Sequence, residues 1–365
     1  MPPRLRAHGL HVPIRVYPMI ENALRSHLGR DLPTHMAEVG QMFSGFSEVA
    51  AAAANREHSW FPTAHSPEDM IDPEAAGNRM VSFPYTKFMC AVMDVDQAAS
   101  VIVMSLAEAR RQGVAEEKLV YLHGCADTIE KEILKRPQLH RSPAMHEMGK
   151  ALRASANISL EQIAYKDIYS CFPVAVSVVA RELGFEATDG KELTLTGGLP
   201  FHGGPGSNYS MHGLVALVSK LRASPTDFGL ITANGGFLSK HAAGIYSCVP
   251  YETTHPDAER WERPDPESYQ STLDAGPEVT VAEAPSGVGT VLTYTVTHNA
   301  KGMYRAMVIG DLDGSGERFV AVCEDPETMA YMQENDMLGA SVTVSTDERG
   351  RGEFALGAAV AGARL

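Results

Sequence analysis

The sequence predicts a layered α/β fold followed by a small β-barrel, and three observations carry that reading. From residue 97 to residue 250, short apolar, β-branched runs alternate with helical stretches bounded by glycine and proline. Near Pro250 the alternation stops in a charged, proline-rich stretch. Beyond residue 286 the pattern becomes period-two strands interrupted by one short helix.

The first elements are helical. PIRVYPMIENALRSHLG (13–29) reads as a helix after a proline-marked start. Residues 33–54 read as a second, opening at Pro33-Thr34 and closing in an alanine-rich run. Residues 55–84 mix prolines, acids and isolated apolar residues, which predicts loops with one short helix. QAASVIVMS (97–105) has the length and β-branching of a strand buried on both faces. LAEARRQG follows as a charged helix stopping at Gly113, and KLVYLHGCAD (118–127) as another strand.

PAMHEMGKALRASA (143–156) is helical, and ISLEQ resembles a helix start. AYKDIYSC leads into PVAVSVVARELG, a helix with Pro173 in its first turn and Gly184 at its end. ELTLTGG and SNYSMHGLVALVSKLR predict a strand, a turn and a helix; FGLITANGG and AGIYSCVP predict two strands joined by a tight turn. HPDAERWERPDPESYQSTLDAGP has no apolar period and reads as an exposed linker. GTVLTYTVTHN, MYRAMVIGDL and ERFVAVCED are alternating strands. DPETMAYMQEN is one helix with Asp325 as N-cap, and ASVTVSTDERGRGEFAL returns to strands. Three strands, a helix and two strands is the order of an OB-type barrel; a small β-sandwich is the alternative. The expected divisions are 1–127, 128–250, a linker over 251–285 and a barrel domain over 286–365.

Composition narrows the class. Apolar residues make up 44% of the chain, enough for an ordinary core, and no run reaches membrane-spanning length. The N-terminal stretch has no sustained apolar segment of a secretory signal. Five scattered cysteines without a CxxC pair suit reduced cytoplasmic thiols, not a zinc site, so no metal is expected. A formal net charge of −14 argues against nucleic-acid binding, which phosphate neutralisation drives. The barrel region carries Asp311, Asp313, Glu317, Glu324 and Asp325, which favours an acyl chain or a protein partner over single-stranded nucleic acid.

The stretch TGGLPFHGGPGSNYSMHG (196–213) concentrates the chemistry. Glycines allow a sharp turn and close approach of backbone to ligand, and amides at a helix start favour an anion or a developing oxyanion. A tight packed corner is the plainer reading of one such loop. DIYSCFP (167–173) and TANGGFLSKH (232–241) supply two further corners of the same kind.

These three segments, in order, resemble the thiolase superfamily, closest to its sterol-carrier-protein-type and thiolase-like branch. That family's Asn-Glu-Ala-Phe or His-Asp-Cys-Phe box is Tyr169-Ser170-Cys171-Phe172 here. Its Gly-Gly-x4-Gly-His-Pro box is Gly197-Gly198, four residues, then Gly203-Gly204-Pro205. Its Cys-x-Gly box is Ala233-Asn234-Gly235. MDVDQAASVIVMS resembles the strand that closes the family's N-terminal domain. The resemblance spans roughly residues 6–250 and implies a thiolase-like α/β/α fold. Residues 1–127 would be the remainder of the N-terminal domain and 128–250 the C-terminal domain. The implied ligand is a coenzyme A thioester, and the implied class is an acyltransferase of lipid metabolism, labelled acetyl-CoA acetyltransferase. A homodimer, or a chain completing the N-terminal domain, is the implied partner.

The departures from that pattern matter as much. Gly204 stands at the position of the family's histidine, Ala233 at that of its acid/base cysteine, and Tyr169 at that of the residue orienting the oxyanion-hole water. No residue matches the nucleophilic cysteine. A Claisen condensation needs a thiolate, an acid/base and an oxyanion stabiliser, so altered or lost condensation activity is expected. Thiolase-like aldolases resemble this chain at Tyr169 and at Tyr209-Ser210-Met211-His212-Gly213, which implies retro-aldol cleavage of a β-hydroxyacyl-CoA as an alternative. A non-catalytic acyl-CoA binder is the third reading. The candidate catalytic residues are Tyr169, Tyr209, His202 and His212. Gly203, Gly204, Asn234, Gly235, Lys240 and His241 are the candidate contacts to the thioester cofactor. Against each stands a structural role: packed phenols, hydrogen-bonded imidazoles, a hairpin end, and for Asn234 a turn residue at positive φ.

Overall fold

The computed structural model describes residues 3–186, 189–258 and 260–357. Residues 1–2 and 358–365 of the expected first and last domains, and residue 259 of the expected linker, lie outside that set.

The chain opens with helices α1 (Pro3–Ala7), α2 (Pro13–His27) and α3 (Leu32–Ala51). Proline sits in the first turn of α2 and α3, where no intrahelical N–H is needed. The Asp31 carboxylate caps α3 by accepting from the Thr34 amide at 2.8 Å. Helix α4 (Pro67–Ile71) and the short strands β1 (Met80–Ser82) and β2 (Tyr85–Thr86) follow.

The strand expected at 97–105 does not form. Residues 91–105 belong to no strand, and Ile102 and Val103 are 86% and 88% exposed. The apolar run has strand composition, but no neighbouring strand of the described residues pairs with it. Helix α5 (Leu106–Arg111) comes next, stopping just before Gly113 at φ 70°.

Strand β3 (Tyr121–Ile129), helix α6 (Pro143–Ala156), strand β4 (Ile163–Asp167), helices α7 (Pro173–Leu183) and α8 (Tyr209–Ala223), and strands β5 (Phe228–Gly235) and β6 (Lys240–Ser247) build the α/β layer. The four strands order β3-β6-β5-β4; β4 and β5 run parallel, the other pairs antiparallel. Gly184 ends α7 in the left-handed region at φ 87°, as its position predicts. Helix α7 is buried along most of its length, and each buried valine there contributes roughly 1.5–3 kcal/mol. The ELTLTGG segment is not a strand. A single 3-10 turn at Gly190–Leu193 leads into irregular backbone whose Leu195 amide is bound by the Asp167 carboxylate at 2.8 Å. The Leu-Thr alternation mimics a strand, but side chains rather than a ladder satisfy its amides.

Beyond Pro250 lie α9 (Tyr251–Thr254) and α10 (Glu267–Asp274). The stretch expected to be an exposed linker is held against the sheet there. Tyr269 is buried, and the Gln270 side chain accepts from the Ile129 amide and donates to the Ile129 carbonyl, both at 2.9 Å. An amide side chain thereby satisfies the outer edge of β3.

Strands β7 (Gly287–Asn299), β8 (Gly302–Leu312) and β9 (Arg318–Cys323), helix α11 (Pro326–Glu334), and strands β10 (Ser341–Thr346) and β11 (Gly352–Leu356) complete the chain. They order β7-β8-β9-β11-β10, and β10 pairs back onto β7 to close the barrel. The β9–β11 pair is parallel. This is the OB-type arrangement that the strand–helix order predicts. Val291, Tyr294, Val308, Phe319, Met332 and Val344 fill its interior. Asp325 caps α11 through the Thr328 amide at 2.8 Å. The barrel is tied to α2 by the Arg25–Asp336 ion pair, both N–O distances 2.8 Å, and by Asn22 donating to the Tyr294 carbonyl. Strand β1 joins β7 at Ser82–Thr297.

Candidate functional site

Parallel neighbours β4 and β5 end on the same side of the sheet, where open α/β folds gather ligands. Three corners meet there: residues 168–172 after β4, residues 196–208 before α8, and the end of β5. Thr232 on β5 links two of them, its hydroxyl accepting from the Tyr169 amide at 2.9 Å and its carbonyl accepting from Ser210 at 3.1 Å.

Two of the four candidate catalytic residues form an aromatic pair. The Tyr169 and Tyr209 rings lie edge to face with centroids 5.5 Å apart. Tyr209 is fully buried and shares a 2.8 Å hydrogen bond with the Thr196 hydroxyl. Tyr169 is half-buried, and its hydroxyl has no hydrogen bond among the described residues. Burial raises both phenols well above their ordinary value, with the Asp167 charge adding to the effect at Tyr209. At neutral pH both are therefore proton donors, not phenolates.

The other two candidates are also joined. His202 Nε2 and His212 Nδ1 lie 3.2 Å apart, and His202 stands 6.2 Å from the Tyr209 ring. His202 Nδ1 and His212 Nε2, the outer nitrogens, have no hydrogen-bond partner among the described residues. Burial, then the neighbouring His212 and His58, lowers His202 to about 4. Burial also lowers His212, so the pair is neutral and able to accept a proton. Both line an open cleft of about 1280 Å³ together with Trp60, Gln97, Thr196 and Val215.

Asp167 completes this group, and sequence reasoning had not singled it out. Its Oδ2 accepts from Leu195 N at 2.8 Å and Thr194 Oγ1 at 3.2 Å. Burial raises its carboxyl to about 6, against the opposing pull of the Leu195 amide and the Tyr209 and Thr194 hydroxyls. The signal was present in DIYSC: an acid at the end of a buried strand, immediately before the tyrosine box.

The glycine candidates serve geometry. Gly203 has φ 117°, and a Cβ there would meet Gln97 Oε1 at 2.4 Å. The Gly204 amide donates to the Val92 carbonyl at 2.8 Å, so it is occupied within the fold. Gln97 donates to the His58 and His202 carbonyls at 3.0 and 2.9 Å, fixing the loop that carries His202.

Asn234 lies in β5, not at positive φ; the left-handed residues of this hairpin are Gly236, Phe237 and Leu238. Its Nδ2 donates to the Tyr17 hydroxyl at 3.0 Å and lies 3.9 Å from Cys171 Sγ. Tyr17, 217 residues away in sequence, stacks on Phe172 at 4.5 Å. No sequence signal linked α2 to these boxes. Burial pushes the Cys171 thiol up to about 12, which fits a packing residue rather than a nucleophile. Lys240 is exposed beside Gly235 at the hairpin end. His241 turns into a buried contact with Ser142 at 3.2 Å, and burial lowers it to about 3. Among the described residues, no hydrogen bond or ring contact joins His241 or Lys240 to the tyrosine and histidine pairs. No group of histidines, cysteines and acids among them could hold a metal ion, and no helix there is long and apolar enough to cross a membrane.

The α/β layer, its three corners and the appended barrel define a thiolase-like protein. The comparisons with known proteins agree. The thiolase-like protein type 1 additional C-terminal domain family matches residues 268–349. The crystal structure of a monomeric SCP2-thiolase like protein type 1 from Mycobacterium smegmatis superposes with a TM-score of 0.88 at 37% identity, over 97% of this chain and 75% of that one. This chain belongs to the SCP2-thiolase-like protein type 1 family. The Ltp2–ChsH2(DUF35) aldolase shares the fold at a TM-score of 0.50 and 19% identity, over 66% of this chain and 64% of that one. No curated protein sequence matches.

Proposed function

We propose that this protein handles acyl-CoA thioesters at the Tyr169–Tyr209 and His202–His212 group, without ordinary thiolase condensation. The observation that supports this best is the juxtaposition of two protonated phenols with a neutral histidine pair, at the strand ends of a thiolase-like fold. The phenols are hydrogen-bond donors, suited to a thioester or alkoxide oxygen; the imidazoles are acceptors. The buried, unactivated Cys171 does not supply the thiolate that a Claisen step requires. Membership of a thiolase-like family supports coenzyme A as the carrier, acyl transfer in lipid metabolism as the setting, and the cytoplasm as the compartment.

The Tyr169 hydroxyl, which no described residue bonds, favours one particular reaction, retro-aldol cleavage of a β-hydroxyacyl-CoA. A base removes the β-hydroxyl proton, the Cα–Cβ bond breaks to leave a carbonyl product, and the thioester enolate takes up a proton at Cα. Here a neutral imidazole is the acceptor and Tyr169 the donor. The fold shared with an aldolase complex is consistent with that assignment.

The test is incubation with a panel of acyl-CoAs and β-hydroxyacyl-CoAs, followed by mass spectrometry. Cleavage of a β-hydroxyacyl-CoA supports the aldolase reading. Saturable binding without product reduces the proposal to a non-catalytic acyl-CoA binder. No binding to any thioester overturns it.

A further inference from the structure

Among the described residues, the turn between β5 and β6 holds the one adjacent pair of non-glycine residues in left-handed backbone. Phe237 has φ 64° and Leu238 φ 55°, directly after Gly236 at φ 60°. A bulky side chain adopts that region only where its surroundings impose it, and imposed backbone of this kind gathers at functional sites. The Ser239 amide closes the turn by donating to the Gly235 carbonyl at 3.1 Å, and Leu238 is buried beneath it.

Arg136 imposes it. This residue is buried, and its Nη2 donates to the Phe237 and Leu238 carbonyls at 3.2 and 2.7 Å. Its Nε donates to the Lys131 carbonyl at 2.8 Å. Among the described residues, none of its hydrogen bonds reaches a carboxylate, and Nη1 has no hydrogen-bond partner. Burying a cation on these terms is costly, and an apolar side chain of similar volume would serve packing as well or better. The guanidinium is therefore explained by what it holds. Its loop is fixed in turn from the barrel: Arg318, also buried, donates to the Arg136 carbonyl at 3.2 Å and to Asp311 at 2.6 Å.

The clamped turn lies against the candidate site. Asn234 follows Thr232 by two residues on β5, so both face one side of the sheet, and Thr232 already holds the Tyr169 amide. Asn234 Nδ2 donates to the Tyr17 hydroxyl at 3.0 Å, and the Phe237 ring meets the Tyr17 ring edge-on at 6.4 Å. Tyr17 stacks on Phe172, the last residue of the tyrosine box, at 4.5 Å. We infer that Arg136 is a positioning residue for this site: it clamps the β5–β6 turn in left-handed backbone, and the clamped turn sets Tyr17 and Asn234 against the Tyr169 corner. It acts through those residues, not by touching substrate. Its effect on turnover rests on the acyl-CoA reading above; its hold on the turn does not.

The test reads the turn and the site separately, on the full chain. Arg136→Lys keeps a cation but cannot span three carbonyls. Amide exchange at residues 236–240 should quicken at least fivefold, and the Asn234 side-chain amide should shift in NMR, while exchange in β8 stays as in the parent. Adding Phe237→Gly, which takes the left-handed region freely, should return at least half of the lost protection. For the thioester that the parent converts, Arg136→Lys should lose at least tenfold in kcat with KM within twofold. A parent that converts no thioester would count against the acyl-CoA reading alone, and the exchange and Asn234 measurements would then decide Arg136. Four results would overturn the proposal: unchanged exchange and Asn234 signal in Arg136→Lys, equal loss of protection across the whole fold, no recovery on adding Phe237→Gly, or an unchanged kcat. If Arg136→Lys does not fold, the double variant must; failure of both would overturn it too.

Discussion

Asp167 and Tyr209 meet in the buried interior, one at the end of β4 and the other at the first residue of α8. The contact joins two corners of the thiolase-like site, and four neighbours depend on it. Thr194, Leu195 and Thr196 are held by these two side chains, and Gly213 is required for closeness: a Cβ there would lie 2.8 Å from Asp167 Oδ1. Tyr169, leaning on the Tyr209 ring, inherits its position from this arrangement.

The two tyrosines should separate stability from chemistry. Tyr209→Phe leaves the buried Thr196 hydroxyl without its 2.8 Å partner and should cost about 1–3 kcal/mol in urea unfolding. Tyr169→Phe removes a hydroxyl with no hydrogen bond among the described residues and should stay within about 0.5 kcal/mol of the parent. It should nonetheless lose the conversion of whichever thioester the panel identifies. Unchanged turnover in Tyr169→Phe would remove this residue from the chemistry.

Asp167 and His202 should oppose one another across mildly acidic pH. The Asp167 carboxyl is raised from 3.8 to about 6, so the native state holds its proton more tightly than the unfolded chain does. Its contribution to stability is full below pH 3.8 and declines as pH rises to about 6. His202 is lowered from 6.5 to about 4; its contribution is full above pH 6.5 and is lost as pH falls to about 4. Unfolding midpoints measured from pH 4 to pH 7 should rise more steeply with pH in Asp167→Asn than in the parent. In His202→Asn the trend should tilt the other way. Curves parallel to the parent in both variants would show that neither group titrates in this window.

Gly197→Ala should be among the most damaging substitutions in the chain. Gly197 sits at φ 102°, and an added Cβ would fall 2.4 Å from Ala50 Cβ and 2.6 Å from the Ala50 backbone. Neither the strained conformation nor the contact with α3 can relax cheaply. A loss of about 2–4 kcal/mol, or failure to accumulate as folded protein, is expected from circular dichroism and thermal unfolding.

Gln97→Ala tests the loop that carries His202. Its amide donates to both the His58 and His202 carbonyls. Removing it should loosen residues 202–204, read as faster amide exchange there, with a stability cost of about 1–2 kcal/mol. Exchange unchanged at these residues would show that the loop is held by other contacts.

What the sequence determined by itself was local. Pro13, Pro33 and Pro173 open helices, Gly184 closes one, Asp325 caps one, and the period-two runs after residue 286 build a five-stranded barrel. These signals act through neighbours a few residues away, so one chain suffices to read them. The glycine-rich corners and both tyrosines were legible for the same reason, as motifs at strand ends. Pairing and burial were decided only by the tertiary structure. QAASVIVMS has the composition of a strand, yet a strand exists only where another satisfies its amides, and none of the described residues does. ELTLTGG alternates like a strand, but Asp167 captures its amide first. The meeting of Tyr17 with Asn234, and of His202 with His212, depends on how α2, α8 and the corners pack. No spacing along the chain encodes that distance. Burial then set the protonation states, because removing water from a carboxyl, a phenol or an imidazole disfavours its charged form.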